Sequence, residues 1–189
     1  MADKEMVSIY SEGAMKLIYY MMAVDGEIQN EEAEEYDSIG RELMNFYEKN
    51  RTGIIKDCNT FLAQCKDKDK WFDTLVEGAS KVIQDAPMGG TEFVPVRVLI
   101  WDLLTIAYSD KDYRPEEKKL LDVMVEMLGV DKAIYLELES SMLTIFDIEK
   151  ELEWIKQTDR SYQTIETMVN ELADRKNVIL DSVHKLMTM

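Results

Sequence analysis

Two short acidic segments hold the residues of this chain best suited to chemistry. Asp25-Gly26-Glu27-Ile28-Gln29-Asn30-Glu31-Glu32 lies over Asp110-Lys111-Asp112-Tyr113-Arg114-Pro115-Glu116-Glu117 at a constant offset of 85. Acid meets acid in four pairs: Asp25 with Asp110, Glu27 with Asp112, Glu31 with Glu116, and Glu32 with Glu117. Carboxylates converging from both sides of a turn can hold a hard divalent cation, Ca²⁺, Mg²⁺ or Mn²⁺. Asp25, Glu32, Asp110 and Glu117 are the candidate ligands, with Glu27, Glu31, Asp112 and Glu116 behind them. No other cofactor is implied. The same residues have a purely structural use. The first N–H groups of a helix lack intrahelical partners and carry partial positive charge, so acids there act as caps.

The spacing matches the second half of an EF-hand loop but lacks the first half. Loop positions one and three would fall on Met21 and Ala23, or on Ile106 and Tyr108, and none of these ligates through its side chain. Lys111 stands where the turn glycine would be. An EF-hand is therefore excluded, and a metal site would need acids from both copies, or ordered water, to complete its shell.

The elements that must position these turns are helices. Apolar residues recur at intervals of three and four along nearly the whole chain. The stretches run from Met6 to Val24, Tyr36 to Phe46, Ile55 to Cys65, Phe72 to Ala86, about 92–108, about 115–128, about 131–157 and about 161–187. The fifth is apolar almost all round and is expected to be central, with Pro95 in its first turn and Thr91 opening it. Gly129 is placed to end the sixth. Ala86–Thr91 is the clearest break. No stretch alternates with period two, so no sheet is expected. The offset of 85 continues beyond the turns, pairing Ile18 with Leu103, Met21 with Ile106, Tyr36 with Leu121 and Ile39 with Met124. Helix, acidic turn, helix is thus a unit used twice, with Ile28 or Tyr113 plugging the gap between its helices. The fold class expected is all-α, a compact bundle of about seven to eight helices.

At these residues the chain resembles the tellurite-resistance TerB family and its TerB-like relatives. Met22-Ala23-Val24-Asp25-Gly26-Glu27-Ile28, ending at Glu32, is similar to that family's Ala-x-Asp-Gly-x-Ile turn with a Glu seven residues after the Asp. Ala107 through Asp110 to Glu117, followed by Leu128-Gly129-Val130, is similar to the family's repeat of the motif. The likeness covers roughly 10–140. It implies a compact all-α domain, here 1–143, with the two turns close together and an acidic metal-binding surface at Asp25, Glu32, Asp110 and Glu117. It also implies links to tellurite resistance and stress response. Residues 144–189 are expected to form a helical extension packed on that domain.

Composition excludes several functions. The formal net charge of -16 argues against a nucleic-acid binder, which draws affinity from Lys and Arg. Residues 1–50 carry 12 acids against 4 bases, which would attract a cation or a basic partner. The most apolar stretch, Phe93–Tyr108, is too short and too interrupted to span a bilayer. The N-terminus shows no signal peptide, so a cytoplasmic protein is expected. Cys58 and Cys65 sit two helical turns apart, too far for a disulfide. The single histidine, His184, rules out a pair of Glu-x-x-His motifs, and no phosphate-binding glycine loop occurs. The sequence thus predicts a non-enzymatic protein that binds a divalent cation or a partner through its paired turns. The alternative is a metal-free helical interaction or scaffold module whose acids only cap helices. Either allows a protein partner or a homodimer.

Overall fold

The computed structural model describes residues 7–85 and 92–188. Two compact units are present, 1–132 and 133–189, divided at the start of the seventh helix. Within the first lie α1 (Ser11–Met22), α2 (Asn30–Leu43), α3 (Tyr47–Leu62), α4 (Trp71–Gln84), α5 (Val96–Ser109) and α6 (Pro115–Leu128). A single 3₁₀ turn, Lys68–Lys70, precedes α4. The second unit is a pair of long helices, α7 (Lys132–Lys156) and α8 (Tyr162–Thr188). The fold is all-α, as the periodicity indicates.

The expected absence of sheet needs correction. Strands β1 (Ser8–Tyr10) and β2 (Phe93–Pro95) pair antiparallel, with Ile9 opposite Val94. Three residues are too few for a period of two to show. Ile9 and Val94 are buried, and the Tyr10 and Phe93 rings meet at 4.5 Å. The strand also moves the start of α5 to Val96, so Pro95 precedes the helix rather than sitting in its first turn. Thr91 and the Ala86–Thr91 break lie outside the described residues.

Ile9 and Val94 are themselves 85 apart, so residues equivalent in the two copies face each other across the strand pair. An antiparallel pair centred on equivalent residues is the signature of a local two-fold relation. It sets α1 and α5, the equivalent first helices of each unit, side by side at the centre. Both are buried nearly all round: Ala14, Met15, Leu17, Ile18 and Met21 on one, Leu99, Ile100, Leu103, Leu104 and Ala107 on the other. The acidic turns follow their C-terminal ends.

The loop from α2 to α3 depends on one close approach. The Tyr47 ring lies directly on Gly40, is buried, and donates from its hydroxyl to Asp37 at 2.6 Å. Arg51 holds the same carboxylate at 2.6 and 3.1 Å. A Cβ at Gly40 would overlap that ring. Gly40→Ala is expected to lower stability by about 2–3 kcal/mol through overpacking, against the small gain a surface helix would show, as read by urea unfolding.

In the second unit Ile148 and Ile155 of α7 pack with Ile165 and Leu172 of α8, flanked by Leu152, Val169 and Ile179. Lys176 bonds Glu149 across the same pair of helices at 2.5 Å.

Candidate functional site

Each acidic turn is built by the same bonds at equivalent residues. Asp25 accepts the Glu27 N–H at 3.0 Å, and Asp110 accepts the Asp112 N–H at 2.9 Å. Glu32 accepts the Gln29 N–H at 2.7 Å, and Glu117 accepts the Arg114 N–H at 2.6 Å. The last two are the reciprocal half of a capping box, in which the third helical residue reaches back to the cap. All four candidate ligands therefore bond a backbone N–H within their own turn.

The backbone repeats as well. Gly26 has φ 84° and Lys111 has φ 67°. Glycine enters that left-handed region freely, whereas a side chain pays roughly 1–2 kcal/mol. Lys111→Gly is expected to stabilise the fold by about 1 kcal/mol, seen as a rise in the denaturation midpoint.

The copies differ at one decisive position. Gln29 in the first turn corresponds to Arg114 in the second. The Arg114 guanidinium reaches Asp110 at 2.8 Å and Asp112 at 3.2 Å in its own turn, and crosses to Asp25 of the other. The two turns thus share one cation, and that cation is an arginine. Trp71 fastens the first turn from the opposite direction, donating its indole N–H to the carbonyls of Ala23 and Val24 at 2.9 and 3.1 Å. Ile28 is 39% exposed and so fills the expected gap only in part; Tyr113 stacks on Tyr108 at 4.6 Å.

Glu32 and Glu117 are buried, while Glu27, Glu31, Asp112 and Glu116 are exposed. Burial pushes both buried carboxyls up to about 7, and the negative charge of Asp110 adds to it. Their backbone N–H bonds and Arg114 oppose the rise. Among the described residues, no group of three or more His, Cys, Asp or Glu side chains is arranged to hold a metal ion. Both oxygens of Asp25 and of Asp110 are engaged by a backbone N–H and the Arg114 guanidinium, and Glu32 and Glu117 each accept a backbone N–H on one oxygen, so a cation would have to displace the guanidinium to use the set.

Sequence reasoning missed two functional features. Arg114 was visible as the one basic residue aligned with a neutral cap, but its reach across 89 residues was not. Asp102, read only as an interruption of an apolar stretch, has a buried oxygen without a hydrogen-bond partner. Burial lifts its carboxyl to about 7, with Glu42 and Glu35 of α2 contributing.

Elsewhere, a cleft of about 440 Å³ lies among β1, α1, α3 and α4, with Cys58 at its lining. Burial pushes the Cys58 thiol up to about 12, so it stays protonated and unreactive. Both cysteines are free. No helix among the described residues is long and apolar enough to cross a membrane. In comparisons with known proteins, no family model matches the chain, and neither a curated protein nor a solved structure matches it.

Proposed function

We propose that this is a non-enzymatic, TerB-like helical interaction module whose paired acidic turns form a clasp closed by Arg114. The observation that carries this reading is the guanidinium shared between Asp25 and Asp110. With each candidate ligand also capping a backbone N–H, the turns are complete without a metal. The likeness of both turns to TerB supports a stress-response setting of the tellurite-resistance type, and two free cysteines suit a reducing cytoplasm.

A second reading has an observation of its own. Asp25, Glu32, Asp110, Asp112 and Glu117 surround a single guanidinium, an excess of negative charge that a divalent cation could relieve by displacing it. Thermal unfolding with Ca²⁺, Mg²⁺ or Mn²⁺ separates the two. A ligand that binds only the folded state raises Tm. The clasp reading expects no shift at about 100 times a micromolar Kd, whereas a metal centre would gain about 2.7 kcal/mol there. A shift abolished by Asp25→Asn would overturn the clasp in favour of the metal.

A further inference from the structure

We propose that the outer face of α7 is a docking surface for a basic amphipathic helix of a partner protein. This deepens the interaction reading above by naming the surface and the kind of partner. α7 carries two apolar stripes on opposite sides. One, through Leu138, Met142, Ile145, Ile148 and Ile155, is buried. The other consists of Leu136, Leu143 and Trp154, which are 47%, 48% and 59% exposed.

The spacing makes these three a line rather than a scatter. Steps of seven and eleven residues are two and three helical turns, which keeps the three within roughly 20° of one another along about 27 Å. Single exposed apolar residues are ordinary, but an aligned set that ends in a tryptophan offers a partner helix three points of burial along one face. Folding of the chain itself gains nothing from leaving them in water.

Charge selects the occupant. Glu139 and Asp147 flank the line at roughly 40° on either side, and Glu151 and Glu153 at roughly 80°. Lys132 and Lys150 lie about 30° from the line, Lys150 with its ammonium on the Phe146 ring at 4.0 Å, so the flanks carry four acids against two bases and stay net acidic. A second copy of this chain is a poor fit. Pairing Trp154 antiparallel to Leu136 of a second copy also sets Glu151 against its Glu139, between molecules each carrying a net charge of -16. An anionic membrane is repelled for the same reason. A helix with apolar anchors on one side and Lys or Arg beside them meets both the stripe and its flanks.

The test uses the full chain and a designed helical peptide of about 18 residues, with leucines on one face and lysines around them, at about 0.15 M ionic strength. A second peptide replaces every lysine with glutamate. Calorimetry is expected to show binding of the lysine peptide and none of the glutamate peptide. Binding should shift the tryptophan emission of the wild type but not of Trp154→Phe. Leu136→Ser with Leu143→Ser should weaken binding by about tenfold or more. Val178→Ser, at an exposed residue of α8, should not change it, and circular dichroism should show every variant folded. Equal binding by the double variant would place the peptide on acids elsewhere and overturn this surface while leaving partner binding in place. Equal binding of the glutamate peptide would overturn the charge argument. A wild-type dimer that Leu143→Ser dissolves would make a second copy the occupant and overturn the proposal. The cation response of the clasp is read separately by Tm, so failure here is distinct from failure there.

Discussion

Arg114→Gln lowers stability by about 2 kcal/mol and makes the protein responsive to divalent cations. The substitution gives the second turn the residue that the first turn already has, Gln29, so it adds no foreign shape. The magnitude lies between two limits. Exposed ion pairs contribute about 0–1 kcal/mol, and removing one partner of a buried pair costs about 3–5 kcal/mol. Arg114 is intermediate, 29% exposed, and its partner Asp110 is 10% exposed. The loss exceeds that of a lone pair because three carboxylates are released at once. Asp25, Asp110 and Asp112 would then lie beside the buried Glu32 and Glu117 without the guanidinium that now reaches all three.

A site with that deficit should accept a substitute. Ca²⁺ or Mn²⁺ at about ten times its Kd would return about 1.4 kcal/mol, or roughly 3–6 °C in Tm for a protein of this size. Arg114→Lys should fall between the wild type and Arg114→Gln, because an ammonium is a point charge and lacks the fork that reaches three carboxylates. Differential scanning calorimetry of the three proteins with and without cation reads all of this. If Arg114→Gln is as stable as the wild type, the clasp is decorative and the turns stand by capping alone.

The parts of this fold set by neighbouring residues could be read from the sequence. α6 runs from Pro115 to Leu128 because proline suits a first turn and Gly129 can adopt the left-handed ending that closes it, at φ 68°. The caps at Glu32 and Glu117 followed from acids three residues past a helix cap, and the bonds of Asp25 and Asp110 from acids placed just after the preceding helix. The internal offset of 85 located both turns. Their closeness was implied by the resemblance but was not legible in the residues themselves, because it depends on three-residue strands whose pairing of Ile9 with Val94 sets α1 beside α5. Nor was Arg114. Read locally, it is one base in an acidic run, and a regional count of charges hides a side chain that spans two copies. Asp102 escaped for a different reason: an apolar helix tolerates one polar residue at its margin, and only packing against α2 shows that its oxygen is sealed. The carboxylate pattern and the family likeness both gave the acids a metal-binding meaning, and neither pointed to the guanidinium that reaches both turns.

The pH dependence should run opposite to ordinary acid unfolding over most of the acidic range. Glu32 and Glu117 are raised from 4.5 to about 7, and Asp102 from 3.8 to about 7. Between those values the folded state binds more protons than the unfolded state, so stability falls as pH rises. The decline begins near pH 4, is steepest between about 5 and 7, and levels off above about 7. Each shift corresponds to roughly 3–4 kcal/mol at most, and the two glutamates titrate as a coupled pair, so their effects do not simply add. Asp37 works in the other sense: its carboxyl is held below 3.8 by Arg51 and Tyr47 despite burial, and its contribution is lost only as pH falls below that value. Tm is therefore expected to be higher at pH 5 than at pH 8. Glu32→Gln keeps an oxygen to accept the Gln29 N–H and removes the charge, so it should raise Tm at pH 8 while leaving pH 5 nearly unchanged. Asp102→Asn should do the same independently, since it lies on α5 away from the turns. A wild-type Tm that climbs steadily from pH 5 to pH 8 would refute the buried, proton-binding state of these carboxyls. The two variants divide the effect between the clasp and the α2–α5 contact. A flattening confined to Glu32→Gln would place the effect at the paired turns and not at the α2–α5 contact.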